Sequence, residues 1–146
     1  MLKGIPKILP PALLKAMCEM GHADKLVISD GNFPAHTVGK DALVIRMDGH
    51  GVPEVLEAVL QLFPLDTYTE KPVSLMEVVP GDTCETPIWN TYYDAVSKVD
   101  ARGKDAFQNI ERFAFYEAAK EAYVIVITGE SALYANIMLQ KGVVTE

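Results

Sequence analysis

Residues 20–30 read Met-Gly-His-Ala-Asp-Lys-Leu-Val-Ile-Ser-Asp. This stretch combines a helix end, a strand and two titratable side chains, and the rest of the chain is interpreted from it. Gly21 is typical of a helix end, because glycine readily adopts the backbone conformation that follows the last turn. The apolar run after it predicts a strand over Lys25–Ser29. Asp30 would then lie just beyond the carboxyl end of that strand, where open α/β sheets bind ligands. His22 and Asp30 are therefore the first candidates for acid/base chemistry.

His22 has two interpretations at this stage. A histidine has an ordinary pKa of about 6.5, so a modest change of environment lets it exchange a proton near neutral pH. A histidine after a helix-ending glycine is also typical of a cap that donates to the last carbonyls of the helix. The sequence pattern alone leaves both open.

The composition favours one cytoplasmic domain. A chain of 146 residues can bury a real core, so we expect a single domain over residues 1–146. A formal net charge of −7, with Lys and Arg scattered, disfavours nucleic acid as a partner. The apolar runs are too short to cross a membrane, and the first residues lack the pattern of a signal peptide. Cys18 and Cys84 match neither a redox pair nor a zinc pattern, so we expect free, buried thiols in a reducing compartment.

Periodicity and turn residues predict helices that alternate with strands. Helices are expected to begin near Pro11, Pro53 and Pro87 and to cover residues 116–121. Strands are expected over Lys25–Ser29, Leu43–Met47 and residues 73–79, 123–128 and 134–139. Residues 110–113 fit a short strand or a helix, residues 31–39 a loop, and residues 103–109 a loop or frayed helix. The alternation predicts an α/β domain with helices packed on the faces of a sheet.

Common cofactor and metal signatures are missing from the sequence. Gly39-Lys40-Asp41 resembles the end of a phosphate loop only superficially, because Pro34 and Asp41 replace the glycine and the hydroxyl residue that such loops need. Neither G-x-G-x-x-G nor G-x-S-x-G occurs. The three histidines do not share a helical turn. We therefore expect no cofactor and no metal site.

A set of polar residues on predicted loops remains, and it suits a ligand with several hydroxyl groups. Carboxylates, amides and arginine bind adjacent hydroxyls in pairs. The set comprises His22, Asp30, Asp66, Arg112, Tyr116, Tyr134 and Asn136. Each residue also has an ordinary structural interpretation: an ion pair of Arg112 with Glu111, a turn that begins at Asp66, and core packing of the two tyrosines.

Six ordered blocks of sequence closely resemble the ribose pyranase and fucose mutarotase family, and within it the L-fucose branch. The blocks cover nearly the whole chain and read MGHAD (20–24), SDGNFPAH (29–36), RMDG (46–49), LDTY (65–68), ERFAFYE (111–117) and TGESALYANIMLQKGV (128–143). Within that family the ribose branch is set apart at the segment around Arg112 to Glu117, and here that segment resembles the L-fucose branch.

The resemblance implies a fold, an activity and a set of site residues. It implies a mixed β-sheet with helices on both faces, no cofactor, and conversion between the α and β anomers of a free monosaccharide, L-fucose above all. The proton donor would be His22. The substrate-binding residues would be Asp30, Asp66, Arg112, Tyr116, Tyr134, Ala135 and Asn136, with Ala135 contributing its backbone. The resemblance also implies a homo-oligomer, a decameric ring or smaller.

Several functional interpretations stay open on the sequence. The first is an isomerase of the L-fucose mutarotase type, and the second is a non-catalytic monosaccharide-binding accessory protein of sugar uptake. A D-ribose pyranase is a third. The aromatic residues Trp89, Tyr92 and Tyr93 on one predicted helix indicate core or subunit contacts, which fits a further hypothesis of a structural oligomerisation domain. A positioned histidine favours the first interpretation, in which the catalytic base is left open between Asp30 and a tyrosine or water that Asp30 orients.

Overall fold

Proline stands in the first turn of two of the helices, where its missing N–H removes no helical hydrogen bond. The computed structural model describes residues 1–146. Its helices are α1 (Pro11–Glu19), α2 (Ala35–Val38), α3 (Val52–Leu60), α4 (Ile88–Ser97) and α5 (Arg112–Lys120), with a 3₁₀ turn over Gly103–Ala106. Its strands are β1 (Lys25–Ser29), β2 (Leu43–Met47), β3 (Val73–Met76), β4 (Phe107–Ile110), β5 (Val124–Thr128) and β6 (Ile137–Gln140).

The six strands form one mixed sheet in the order β2-β5-β1-β6-β3-β4. The pairs β1·β5, β2·β5 and β3·β4 are parallel, whereas β6 is antiparallel to both β1 and β3. Five strands therefore point the same way, and only β6 runs against them. One edge of the sheet collects the carboxyl ends of these five strands and the beginning of β6, and we call it the carboxyl edge. The opposite edge is the amino edge.

Helices cover both faces of the sheet, because successive side chains of a strand point to opposite faces. On β1, Leu26 and Ile28 join a core of 28 buried residues with side chains of α1, α3 and α4, whereas Val27 joins a core of 11 with side chains of α2 and α5. The larger core therefore lies beneath three helices. Full burial of a side chain such as Leu56 contributes roughly 1.5–3 kcal/mol. The predicted α/β fold, with a mixed sheet and helices on both faces, is confirmed.

Several predicted elements differ from the structure at their ends. Residues 31–39 include the short helix α2, and the predicted strand over residues 73–79 ends at Met76. Residues 103–109 contain the 3₁₀ turn and most of β4. The strand interpretation of residues 110–113 is wrong beyond Ile110: Glu111 caps α5 by accepting hydrogen bonds from the amides of Phe113 and Ala114. A glutamate is an uncommon N-cap, so the sequence carries no clear signal for the start of this helix.

The two cysteines are free, as expected, but they are not buried. Cys18 is exposed and Cys84 is half-buried. The buried residues of α1 are Leu13, Ala16 and Met17, so Cys18 projects from another side of the helix. No helix of the structure is both long enough and apolar enough to span a membrane.

Candidate active site

A cleft of about 300 Å³ lies at the carboxyl edge of the sheet. It is formed where β1, β3 and β4 end and where β6 begins, the position at which open α/β sheets bind ligands. Its polar residues are Asp30, Asn32, Asp82, Arg112, Tyr116, Tyr134 and Asn136, and its apolar residues are Phe33, Met76, Val79 and Leu133. A larger, mostly apolar cavity of about 760 Å³ lies among residues 1–11 and Leu14, and none of the predicted site residues lines it.

Asp30 is a buried carboxylate in this cleft, with 6 % of its surface exposed. Burial raises the pKa of Asp30 above its ordinary value, while hydrogen bonds from the amides of Asn32 and Phe33 and from the side chain of Asn136 oppose that shift. Asn136 also accepts a hydrogen bond from the backbone amide of Asp30 at 2.9 Å. A carboxylate with a raised pKa holds a proton more readily, so Asp30 can serve as a proton acceptor.

Arg112 and Tyr116 face the cleft from the first turns of α5. They stand four residues apart and so share one side of the helix. Arg112 Nε donates a hydrogen bond to Tyr116 Oη at 3.3 Å, and its guanidinium carbon lies 5.6 Å from the centre of the Tyr116 ring. The predicted ion pair of Arg112 with Glu111 is not formed, because Glu111 caps the helix instead. Arg112 thus brings a fixed positive charge and several N–H donors to the cleft.

Tyr134, Ala135 and Asn136 lead into β6. Tyr134 is half-buried, and its hydroxyl donates a hydrogen bond to Asp82 at 2.7 Å. Ala135 is fully buried, and its carbonyl accepts a hydrogen bond from Tyr92 Oη at 2.7 Å. Its backbone is therefore held by the core through α4. The hydrogen bond from the amide of Asp30 to Asn136 then joins this segment to the end of β1 in the cleft.

Asp82 lines the cleft but was not predicted. It follows Pro80-Gly81, and its Oδ1 accepts a hydrogen bond from the amide of Cys84 at 2.9 Å, which is the geometry of an ordinary Asx turn. Its contact with Tyr134 joins positions 52 residues apart. A turn signal was visible in the sequence, but nothing there linked that turn to the cleft.

His22 and Asp66 lie together at the amino edge of the sheet, away from the cleft. The Nε2 atom of His22 is 3.0 Å from Oδ1 of Asp66, and the His22 ring lies 5.2 Å from that of Tyr68. The predicted cap role of His22 is not found: Lys141 Nζ donates to the carbonyl of Met20, at the end of α1. The ring of His22 is therefore positioned by a carboxylate.

Asp66 is almost fully enclosed, with 2 % of its surface exposed. It accepts hydrogen bonds from the amide of Tyr68 and from Gln140 Nε2, both at 2.9 Å. Burial raises the pKa of Asp66, but these donors together with His22 outweigh burial and hold the pKa below its ordinary value. Asp66 thus remains a carboxylate at neutral pH. The bond from Tyr68 also fits the predicted turn that begins at Asp66.

Within one chain, the predicted site residues lie in two separate groups. Asp30, Arg112, Tyr116, Tyr134 and Asn136 meet in the cleft, and Ala135 lies beside them. His22 and Asp66 stand at the far end of β1, whose five extended residues span about 16 Å. That distance exceeds the width of a small ligand. Within one chain, His22 therefore does not reach a ligand in the cleft.

The chain matches the sequence model of the RbsD/FucU transport protein family over residues 3–144. It is 49 % identical over 145 residues to fucose mutarotase of Mus musculus, with 97 % of this chain and 94 % of that protein covered. It is 48 % identical over 143 residues to L-fucose mutarotase of Actinobacillus pleuropneumoniae, with 98 % and 97 % covered.

Solved structures give the same result. FucU from Bifidobacterium longum superposes with a TM-score of 0.97 at 63 % identity, over 98 % of this chain and 100 % of that one. The fucose mutarotase from Streptococcus pneumoniae, solved in complex with L-fucose, superposes with a TM-score of 0.92 at 43 % identity, over 99 % and 100 %. The resemblance drawn from the six sequence blocks is thereby confirmed, and the chain belongs to the RbsD/FucU family.

Proposed function

We propose that this protein is a cofactor-independent isomerase that interconverts the α and β anomers of L-fucose. The observation that carries the proposal is the full-length similarity to the Streptococcus pneumoniae fucose mutarotase, a protein solved with L-fucose bound. The cleft supports it. Its carboxylates, amides, arginine and phenols suit a small ligand with several hydroxyl groups, and its volume of about 300 Å³ suits one monosaccharide.

Anomer exchange needs two proton transfers. When the ring opens, the anomeric hydroxyl loses its proton as the C1=O bond forms, and the ring oxygen gains a proton as its bond to C1 breaks. After rotation about the bond to the aldehyde carbon, the reverse transfers close the ring on the other face. Two positioned groups accomplish this without a build-up of charge, and each contributes roughly 10²–10⁴-fold. Because sugars mutarotate in water without help, such factors suffice.

His22 is our candidate for the proton donor. Asp66 is held as a carboxylate and accepts the hydrogen on Nε2 of His22, so the other ring nitrogen, Nδ1, is the one that would exchange a proton with the ring oxygen. Asp30 is our candidate for the acceptor, because burial raises its pKa. Arg112, Tyr116, Tyr134 and Asn136 would bind the remaining hydroxyls, with Ala135 supporting them through its backbone.

The separation of these groups leads us to propose that a second copy completes each site. The cleft of one chain would face His22 and Asp66 of its neighbour. Such a contact joins two different surfaces, so it is head-to-tail, and repeated contacts of this kind close into a ring when the rotation allows. We therefore propose a homo-oligomeric ring of ten or fewer copies, each a single domain over residues 1–146.

We also propose that the protein works in the cytoplasm on free monosaccharide, without nucleic acid or membrane as a partner. Its two free cysteines support a reducing compartment. The net charge of −7 supports the absence of nucleic acid, which basic surfaces bind.

The test is a screen of free aldoses by saturation-transfer NMR. At anomeric equilibrium, irradiation of one anomeric proton reports the rate of conversion to the other anomer. We expect catalytic amounts of the protein to accelerate exchange of L-fucose more than that of D-ribose. Acceleration for D-ribose alone would instead identify a pyranase. No acceleration with any aldose would reject the isomerase.

The name of the family, which refers to transport, favours one second candidate. A monosaccharide-binding accessory protein of sugar uptake would use the same cleft but perform no chemistry. Calorimetric binding of L-fucose without any faster exchange than in buffer would support this candidate over the first.

A further inference from the structure

The hydroxyl of Tyr134 is held by residues 79–82, a segment outside the predicted site. Tyr134 Oη donates to Asp82 Oδ2 at 2.7 Å, and the same oxygen accepts a hydrogen bond from the amide of Val79 at 3.3 Å. An O–H···O bond of this length to a charged acceptor is among the stronger kinds in proteins. The hydroxyl proton of Tyr134 is therefore engaged in the hydrogen bond to Asp82.

The backbone of Tyr134 is fixed independently. Its φ of 55° lies in the left-handed region, which non-glycine residues rarely adopt. Trp89 Nε1 donates to the carbonyl of Tyr134 at 2.8 Å, and Tyr92 Oη donates to the next carbonyl at 2.7 Å. Because α4 anchors the backbone in this way, the remaining freedom of Tyr134 is that of its ring and hydroxyl, and Asp82 restricts both.

Asp82 is itself held in place. Its other oxygen, Oδ1, accepts a hydrogen bond from the amide of Cys84 at 2.9 Å. The hydrogen bonds from Tyr134 and from the amide of Cys84 hold the pKa of Asp82 below its ordinary value, so the group is a carboxylate at neutral pH. A carboxylate only accepts hydrogen bonds, so the proton between the two residues belongs to Tyr134.

We propose that Asp82 is a positioning residue of the site, which takes the hydrogen bond of the Tyr134 hydroxyl so that the phenolic oxygen meets the ligand as an acceptor. A phenolic oxygen has one proton to donate and further capacity to accept. With the proton committed to Asp82 and one accepting position occupied by Val79, what remains is a lone pair that can accept from a sugar hydroxyl. The assignment rests on the proposed function, because it gives Tyr134 a sugar ligand.

Three charged or titratable groups act on the Tyr134 hydroxyl. Asp82 binds it, Cys84 follows in the same segment, and Arg112 faces it from α5. The hydrogen bond to Asp82 is the largest influence and raises the pKa of Tyr134, with the amide of Val79 opposing. Removal of the charge at position 82 should therefore lower the pKa of the phenol.

The first test measures that pKa and needs no activity. Tyrosine labelled with ¹³C at Cζ is titrated by NMR in the wild type and in Asp82→Asn, and the signal missing from Tyr134→Phe assigns Tyr134. Incorporation of 3-fluorotyrosine, which is more acidic, keeps the titration within the range in which the protein stays folded. We expect a lower pKa in Asp82→Asn and a preserved one in Asp82→Glu, which retains the carboxylate. An unchanged pKa in Asp82→Asn would overturn the proposal.

The second test is a double-mutant cycle on anomer exchange. We expect Asp82→Asn to lower kcat/KM about tenfold, because a charge-assisted hydrogen bond becomes a neutral one. In the Tyr134→Phe background the same change should have no further effect, since Asp82 acts through the phenol. Additive losses would overturn the proposal. Asp41→Asn, at an exposed turn, removes the same charge and is the matched control.

The two tests separate the proposal from the function on which it rests. If the wild type accelerates no anomer exchange, the proposed function fails, yet the titration still reports whether Asp82 controls the phenol. Where Asp82→Asn does not fold, Asp82→Ser carries the test, because it removes the carboxylate while its hydroxyl can still accept the hydrogen bond from the amide of Cys84. An unchanged pKa of Tyr134 in Asp82→Ser would overturn the proposal.

Discussion

Nε2 of His22 lies 3.0 Å from Oδ1 of Asp66, a carboxylate with 2 % of its surface exposed, whereas the His22 side chain is 42 % exposed. One partner is therefore fixed in the protein and the other reaches solvent. This is the arrangement of an orienting carboxylate and an imidazole that exchanges protons with a ligand. It supports the first prediction.

His22→Ala should fold normally and lose anomer exchange by about 10²–10⁴-fold, the range of one general acid. The fold should persist because Asp66 keeps its hydrogen bonds from Tyr68 and Gln140. Saturation-transfer NMR on equilibrated L-fucose measures the loss. His36→Ala, which removes another exposed histidine, is the control and should retain full activity. Exchange that stays at the wild-type rate in His22→Ala would remove His22 from its role.

Two inactive variants should restore activity when they assemble together. His22→Ala keeps an intact cleft, and Asp30→Asn keeps an intact His22–Asp66 pair. If each site takes one part from each of two neighbours, random co-assembly at equal amounts leaves about a quarter of the sites with both parts intact. We expect about that fraction of wild-type exchange after joint refolding. A mixture that stays inactive would show that each chain acts alone. Light scattering on the same samples gives the number of subunits.

Asp66→Asn should make the free energy of unfolding depend less on pH in the acidic range. The pKa of Asp66 is lowered in the folded state, so its contribution to stability is complete above the ordinary value of about 3.9 and is lost as the pH falls through the lowered value. We expect the variant to be less stable at pH 7 and to lose less stability on acidification than the wild type does. Urea unfolding at several pH values measures this. Asp30 has a raised pKa, so protonation of Asp30 acts in the opposite direction. An acid dependence equal to that of the wild type would contradict the prediction.

Tyr92→Phe should lower the free energy of unfolding by about 1–3 kcal/mol, because the buried carbonyl of Ala135 would lose its partner. The same change should reduce exchange activity, since that carbonyl lies between Tyr134 and Asn136. Tyr93→Phe is the matched control on the same helix, and it removes a hydroxyl that makes no hydrogen bond within the chain. Equal losses in the two variants would argue against a specific role for the Tyr92 hydroxyl.

Much of the fold could be predicted because its signals are local. Lys25–Ser29 and Leu43–Met47 are strands with the predicted ends, and α1, α3 and α4 begin close to the expected prolines. The errors have physical reasons. Helix α2 is only four residues long, too short for a periodic pattern to show, and a glutamate cap concealed the start of α5.

The site could be predicted only in part, because distance in space is not encoded locally. The polar residues on predicted loops were candidates from the sequence alone, and the family resemblance gave them roles and added Ala135. The structure brings Asp30, Arg112, Tyr116, Tyr134 and Asn136 into one cleft. The sequence does not predict the partners that orient the His22 imidazole and the Tyr134 phenol. His22 meets Asp66 across 44 positions, and Tyr134 meets Asp82 across 52. Such pairs arise from the order of strands in the sheet.

Strand β6 runs against the other five strands, so the two ends of this short strand contribute residues to the carboxyl edge and to the amino edge of the sheet. Asn136, just before it, bonds the backbone of Asp30, and Gln140, its last residue, bonds Asp66. In a closed ring, each β6 would lie between two successive reaction centres. A deletion of one residue here would shift its register, turn every side chain over, and damage both centres that the subunit serves. Co-assembly with a variant that carries a single substitution would then not restore activity to the two centres that this subunit serves.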